Sequence, residues 1–158
     1  MNTIVIGLGN PILGDDGIGW KVAEELSKRE LANSIPFEVD CLSVGGLTLM
    51  ERMVGFKRAI LIDALQTGKY PPGTVVKLRL EDVPEKRAGH IASAHDVNLD
   101  TALHLGREMG AQLPEEIYVI GIEAQRVYEI SEELSPTIRS AIPRAIQYVS
   151  ELLQTVGL

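Results

Sequence analysis

The amino-acid sequence predicts an α/β domain in three layers: a doubly wound, mostly parallel, twisted sheet of about five strands, one of them antiparallel, with helices on both faces. Short apolar runs rich in β-branched residues alternate with segments of helical periodicity, which is typical of strand-helix-strand units. The run at 59–62 is apolar without interruption, as in a strand covered on both faces. A length of 158 residues without a linker or repeat fits one domain, taken as 1–158.

The first half of the chain contains the parallel unit. Strands are predicted at 3–8, 37–42 and 58–63 from their apolar, β-branched composition. Apolar residues at helical spacing predict a helix of about four turns from Ile18, and a glycine turn at 45–46 precedes a second, short helix. Because crossovers of this kind are right-handed, the three strands should run parallel and end at one edge of the sheet.

The strand predicted at 74–80 breaks the alternation. Only about ten residues, including two glycines and two prolines, separate it from the third strand. A parallel crossover needs a dozen or more residues, so this strand is predicted to run antiparallel to the others. A charged loop at 81–92 then has to bring the chain back across the domain.

A helix from about 94 to 109, with Ser93 as its N-cap, and a strand at 117–122 complete the sheet. The final helix is expected to open on Ser135, an N-cap that a first-turn proline follows. Pro143 lies inside this helix and should kink it.

Composition and charge disfavour several classes of function. The net charge of −7 disfavours a nucleic-acid partner, because a phosphate backbone is bound by Lys and Arg. No apolar run is long enough for membrane insertion, and the lack of a basic residue before Lys21 argues against a signal peptide. The one cysteine, Cys41, cannot form an internal disulfide and is expected to be a buried thiol in a reducing, cytoplasmic setting.

The loop after the first strand is rich in glycine and contains two aspartates, Asp15 and Asp16. A dinucleotide-binding fingerprint would need glycine where Ile12 stands, and Pro11 removes a backbone donor. Two carboxylates also oppose a phosphate. Helix capping explains Asp15 well and leaves Asp16 poorly explained.

Asp63 follows the third predicted strand at the carboxyl edge of the sheet. The first and third strands flank the switch point of a doubly wound sheet, where ligands bind. The loop with Asp16 and the strand end with Asp63 should therefore face one crevice. A capping or solvated role for Asp63 is the alternative.

His95 is the third candidate, because the predicted cap at Ser93 puts it in a first helical turn at the same edge. The helix dipole there opposes a protonated imidazole, whereas nearby carboxylates favour one. His90 and His104 fit ordinary surface histidines. Asp16, Asp63 and His95 together make an oxygen, oxygen, nitrogen donor set that accepts borderline divalent metals and leaves coordination positions open.

Six motifs in the chain are distinctive: Gly7-Leu8-Gly9-Asn10-Pro11-Ile12-Leu13-Gly14-Asp15-Asp16-Gly17-Ile18-Gly19, Gly45-Gly46, Leu61-Ile62-Asp63-Ala64, Ser93-Ala94-His95-Asp96, Gly121-Ile122-Glu123 and Leu134-Ser135-Pro136. In this set the chain resembles the nickel-iron hydrogenase maturation proteases nearly from end to end. The resemblance implies an endopeptidase that removes the C-terminal extension of the precursor of a hydrogenase large subunit after nickel insertion.

The resemblance also assigns roles to residues. It implies that Asp16, Asp63 and His95 form the metal-binding and catalytic cleft. It implies substrate-positioning roles for Asn10, Asp15, Gly45 and Gly46. No permanently bound cofactor is expected: nickel arrives with the substrate as the recognition element, and cadmium or zinc could occupy the same donors. Whether a carboxylate activates the water, as in an aspartic-type protease, or nickel polarises the carbonyl stays open.

Two other functions share parts of these motifs. A receiver-like phospho-signalling domain also has paired aspartates after strand one, but it would need lysine where Glu123 stands. Peptidyl-tRNA hydrolase also opens on Gly-Leu-Gly-Asn-Pro, but its Arg-His-Asn segment is missing and the net charge opposes tRNA. Two departures from the protease pattern, Leu47 after the glycine turn and Ala124 after Glu123, bear on how the substrate tail is seated.

Overall fold

Alternating strands and helices make up most of the chain, for which a computed structural model describes residues 2–29, 31, 34–43, 45–83 and 98–154. The strands are β1 (Thr3–Leu8), β2 (Phe37–Leu42), β3 (Arg58–Leu65), β4 (Val75–Arg79) and β5 (Glu116–Glu123). The helices are α1 (Ile18–Ser27), α2 (Gly46–Met53), α3 (Leu99–Glu108), α4 (Pro136–Arg139) and α5 (Ile142–Gln154). Two short 3-10 turns lie at Gly14–Gly17 and Leu80–Asp82.

The five strands form one sheet in the order β2-β1-β3-β5-β4. The pairs β1–β2, β1–β3 and β3–β5 are parallel, whereas β4 pairs antiparallel with β5. This confirms the predicted fold class and the reversed strand, which the short connection after β3 forces. The first and third strands are neighbours, so the switch point of the sheet lies between their carboxyl ends, as predicted.

Each face of the sheet is covered by a pair of helices, which gives two separate hydrophobic cores. Alternate residues of β3 divide between them: Ile60 and Ile62 pack with α1 and α5, while Ala59 and Leu61 pack with α2 and α3. Every residue of β1 and β3 is buried. Burial on both faces explains why these strands are apolar along most of their length instead of alternating with polar residues.

The helix before β5 begins later than predicted. Asn98 has an extended backbone, and its side-chain oxygen accepts a hydrogen bond from the Thr101 amide at 2.9 Å, so it is the N-cap of α3. The prediction that this helix starts near 94 with Ser93 as its cap is therefore wrong. Asparagine caps a helix about as well as serine does, so a preference for serine did not locate the start of this helix. Ser93 itself lies outside the described residues.

The C-terminal helix is divided in two. Ser135 is the N-cap of α4 and Pro136 its first residue, as predicted, but α4 ends at Arg139 and α5 starts at Ile142. Pro143 therefore lies in the first turn of α5, where its missing N–H costs little. The expected kink is a complete break because the proline ring excludes the helical carbonyl one turn earlier.

The remaining differences are small. Helix α1 has ten residues, about three turns instead of four. Strands β3 and β5 run one or two residues past their predicted ends. Among the helices of the described segments, none has the length and apolar character that crossing a bilayer requires.

Candidate functional site

The loop after β1 is a tight, internally hydrogen-bonded turn that fixes Asp16. The Leu13 amide donates to the Asn10 carbonyl and the Asp16 amide to the Leu13 carbonyl, each at 3.1 Å. The Asp16 carboxylate in turn accepts the Asn10 amide at 2.8 Å. The side chain is half-buried. The loop therefore holds the Asp16 carboxylate, and the residue as a whole stays partly exposed.

Two glycines allow this loop to sit on the end of the sheet. Gly9 has φ = 142°, and a Cβ there would lie 2.0 Å from the Asp16 carbonyl oxygen. A Cβ at Gly19, in the first turn of α1, would lie 2.3 Å from the Leu8 carbonyl oxygen and 2.4 Å from that of Ile62. These close approaches press the aspartate loop and the helix start against the carboxyl ends of β1 and β3, which explains the glycine-rich motif without a phosphate ligand.

Asp63 is fully buried, two residues before the end of β3. Its neighbours in the ladder place it: Ile62 pairs with Gly7 of β1, and Asp63 pairs with Gly121 of β5. Because side chains alternate along a strand, Asp63 lies on the face that Leu61 shares with α2 and α3. The structure thus brings Asp16 and Asp63 to the carboxyl edge of adjacent strands, where the 3-10 turn that contains Asp16 contacts β3.

The nitrogen donor of the predicted set, His95, lies outside the described residues, so the three-residue cleft stays a prediction. Among the residues that the structure describes, no three His, Cys, Asp or Glu side chains are grouped to hold a metal ion. The described candidates for metal contact are the carboxylates of Asp16 and Asp63, hard oxygen donors that would need a further ligand from elsewhere.

Asp15 has a different environment from its neighbour. It is buried, and its carboxylate accepts the Ser135 amide at 2.7 Å, the Ser135 hydroxyl at 2.8 Å and the Arg126 amide at 3.3 Å. It caps neither α1 nor the turn before it. Asp15 therefore joins the loop after β1 to the loop between β5 and α4. Its predicted role in positioning substrate stays a prediction.

Glu123, at the end of β5, is a residue whose role the sequence did not reveal. Its buried carboxylate accepts hydrogen bonds from the Thr67 amide and hydroxyl and from the Gly68 amide, and so it fixes the loop between β3 and β4. The signal that could have found it is the same as for Asp63: a carboxylate at the end of a continuous apolar strand.

The glycine turn at 45–46 follows β2 and leads into α2. Gly46 has φ = 54°, a left-handed conformation that favours glycine. The Ser43 hydroxyl donates to the Gly9 carbonyl at 2.9 Å, which ties this connection to the aspartate loop. Asn10, Gly45 and Gly46 are therefore near the site; their predicted contacts with substrate stay predictions.

The environments of Cys41 and His104 give no support for a catalytic role. Cys41 is only half-buried instead of fully buried, and burial, with the nearby charges of Glu24 and Asp40, raises the pKa of its thiol to about 11. A thiol of this kind is a poor nucleophile near neutral pH. His104 is exposed and lies 3.0 Å from Glu108 on the same helix, as expected of a surface histidine.

Two adjacent depressions follow the carboxyl edge. One, of about 390 Å³, is lined by Asp15, Arg126, Ser135 and the start of α4, and the other, of about 360 Å³, by the loop after β3 and by Glu123. They share Pro72 and Gln125. A larger depression of about 510 Å³, beside Arg58, is at the opposite edge of the sheet, away from both candidate aspartates.

Comparison with known proteins identifies the family of the chain. The sequence model of one family, described as hydrogenase maturation protease, matches residues 20–152. The chain belongs to the hydrogenase maturation protease family. It is 31% identical to the hydrogenase 2 maturation protease of Escherichia coli K12 over all of this chain and 94% of the relative.

Solved structures of family members share the fold. The solution structure of an endopeptidase from Escherichia coli superposes with a TM-score of 0.80 at 29% identity and covers 100% of this chain and 95% of that one. A NiFe hydrogenase maturation protease from Thermococcus kodakarensis gives a TM-score of 0.71 at 27% identity, over 97% and 99% of the two chains. The resemblance of the motifs is therefore confirmed at the level of the family and its fold.

Proposed function

We propose that this member of the family is an endopeptidase that removes the C-terminal extension of a nickel-iron hydrogenase large-subunit precursor, with nickel in the substrate as the recognition element. The observation that carries the proposal is the position of two carboxylates, Asp16 and Asp63, at the carboxyl ends of β1 and β3. This is the switch point at which doubly wound sheets bind their ligands.

Two carboxylates at one edge of the sheet are suited to contact a cation. Asp16 is half-exposed, and its carboxylate accepts the Asn10 amide at 2.8 Å. Asp63 is buried two residues before the end of β3, at the same edge. Nickel carried by the precursor would take oxygen donors from these carboxylates and a nitrogen donor from His95.

Hydrolysis needs a water and a group that activates it. A carboxylate of Asp16 or Asp63 is a candidate general base, as in an aspartic-type mechanism, and nickel held against the scissile carbonyl is a candidate Lewis acid. In both routes the proton removed from water passes to a carboxylate or to the leaving amine. In this proposal the C-terminal extension of the precursor lies in the depression beside Glu123 and Gln125.

The experiment is cleavage of the nickel-loaded precursor by four forms of the chain: wild type, Asp16→Asn, Asp63→Asn and Asp82→Asn. Asp82 is an exposed aspartate beyond the end of β4, at the opposite edge of the sheet, and serves as the matched control. We expect wild type and Asp82→Asn to release the extension at similar rates and the other two to lose at least about a hundredfold, the effect typical of removing an acid-base group. Equal loss in Asp82→Asn, or normal rates in both site variants, would contradict the proposal.

The alternatives lack such support. A receiver-like role would need a lysine where Glu123 instead uses its buried carboxylate to hold the loop after β3. A tRNA-binding role is opposed by the net charge of −7.

A further inference from the structure

Three large apolar side chains are exposed beside the loop that contains Asp16. Ile12, in that loop, is 51% exposed; Tyr128 and Ile130, in the loop between β5 and α4, are 83% and 87% exposed. We call these three side chains the apolar lip. Single exposed apolar residues are common on soluble proteins, but a group of them at the rim of a site indicates an interaction surface.

Hydrogen bonds place two members of the apolar lip side by side. The Ser131 amide donates to the Ile12 carbonyl at 2.9 Å, and the Gly14 amide donates to the Ser131 carbonyl at 2.8 Å, which makes Leu13 and Ser131 a parallel bridge. In parallel pairing, the residues one position before the bridge partners are also neighbours along the two segments. Ile12 and Ile130 are those residues. Tyr128 is two positions before Ile130 in the same loop.

The apolar lip is held in place before any partner arrives. The buried carboxylate of Asp15 accepts hydrogen bonds from Arg126 and Ser135, near the two ends of the loop that contains Tyr128 and Ile130. The loop also passes so close to Gly14 that a Cβ there would lie 2.5 Å from the Arg126 carbonyl oxygen. A fixed loop loses little conformational entropy when a partner binds, which favours affinity.

The surroundings of the apolar lip are acidic. Glu129, Glu132 and Glu133 are all exposed in the same loop, and Arg126, a cation of this loop, lies 3.9 Å from Glu129. A partner surface that matches this rim is therefore apolar at its centre and carries Lys or Arg around it.

We propose that the apolar lip is the docking surface for the body of the protein substrate, and that it receives an apolar patch of the hydrogenase precursor bordered by basic side chains. This inference rests on the proposed function and deepens it. Its position supports it: Ile12 is four residues from Asp16, and the Asp16 amide is bonded to the Leu13 carbonyl within the same turn. A protein docked on the lip would thus lie beside the candidate carboxylates.

The test compares a lip variant with a matched control. Tyr128→Ser/Ile130→Ser removes two exposed side chains that contribute little to the fold, and Met109→Ser removes one that is 79% exposed just after α3, away from the candidate site. KM and kcat are measured for cleavage of the nickel-loaded large-subunit precursor from the organism that encodes this chain. We expect the lip variant to raise KM about tenfold or more, the loss typical of removing interface hot spots, with kcat within about twofold. Met109→Ser should leave both constants unchanged.

A second variant tests the charge match independently of the apolar contacts. Glu132→Gln/Glu133→Gln should raise KM several-fold at low salt and lose that effect at high salt, because exposed charges are screened. If KM is unchanged in both the lip variant and Glu132→Gln/Glu133→Gln, the inference is overturned. The proposed function stays intact in that case, as long as wild type cleaves the precursor. Wild type that fails to cleave the precursor would remove the proposed function, and the inference with it. A wild-type dimer that the lip variant converts to monomer in solution would show a second copy of the chain as the occupant and would also overturn the inference.

Discussion

Two neighbouring aspartates have different environments: Asp15 is buried and Asp16 is partly exposed. Replacing Asp15 by asparagine tests this difference. Asp15→Asn keeps the shape of the side chain but removes its charge and one acceptor. In its best orientation, the new side-chain amide points its oxygen toward the backbone N–H of Ser135. In the wild type that N–H lies 2.7 Å from the Asp15 oxygen. The amide nitrogen then replaces the oxygen that accepts from Arg126 and from the Ser135 hydroxyl.

The magnitude follows from these three bonds. The Ser135 hydroxyl can rotate and accept from the new nitrogen, but the Arg126 amide faces another donor, which costs about 1–3 kcal/mol for an unsatisfied N–H. The remaining bond to the Ser135 amide loses its charge assistance, about 1 kcal/mol more. We therefore expect a loss of about 2–4 kcal/mol in the free energy of unfolding, or roughly 4–16 °C in melting temperature for a domain of this size.

The assay is thermal unfolding by circular dichroism at one fixed pH, with Asp16→Asn as the matched control. Asp16 is half-exposed, and an amide oxygen can still accept the Asn10 amide, so this control should melt within a few degrees of wild type. Ser135→Ala should cost about 1 kcal/mol, and less in the Asp15→Asn background, because the Ser135 hydroxyl that it removes is bonded to the Asp15 carboxylate. An Asp15→Asn protein that melts within about 1 °C of wild type would refute this account of the joined loops.

Three further predictions concern other parts of the chain. Asp16→Asn should cut processing of the precursor strongly while the fold survives, since an amide is a poor base and a poor ligand; near-normal cleavage would show that this carboxylate does neither job. Gly9→Ala should unfold the chain at a much lower temperature than Gly110→Ala, because a Cβ at Gly9 would lie 2.0 Å from the Asp16 carbonyl oxygen while nothing lies within 4 Å of one at Gly110, although both have positive φ; equal melting temperatures would contradict the close approach. With its pKa raised to about 11, Cys41 should be alkylated at pH 8 about a hundredfold more slowly than a free thiol, and the rate, which follows the thiolate, should keep rising with pH toward about 11; a plateau near pH 9 in a mass-spectrometric time course would contradict the shift.

The strands of this fold could be predicted from the sequence because their signals are local. Continuous apolar runs marked β1 and β3, which are buried on both faces, and the short connection after β3 indicated the reversed strand. The position of the two candidate carboxylates at one edge then followed from topology, since parallel strands end together.

The features that sequence reasoning missed depend on contacts between distant segments. The partners of Asp15 are more than one hundred positions away, and Glu123 reaches back to Thr67 and Gly68 across the sheet. No spacing in the sequence marks such pairs. The start of α3 was missed for a local reason: serine and asparagine are both preferred N-caps, and the N-cap of α3 is Asn98.

The most direct measurement of the central proposal is the intact mass of the precursor after incubation with this chain, with nickel-loaded and nickel-free precursor run side by side. Loss of the C-terminal extension from the nickel-loaded form alone is the expected result, because the carboxylates at the switch point are proposed to contact nickel that the substrate carries. Loss of the same fragment from both forms at equal rates would contradict recognition through nickel, and an unchanged mass in both would contradict the proposed cleavage itself.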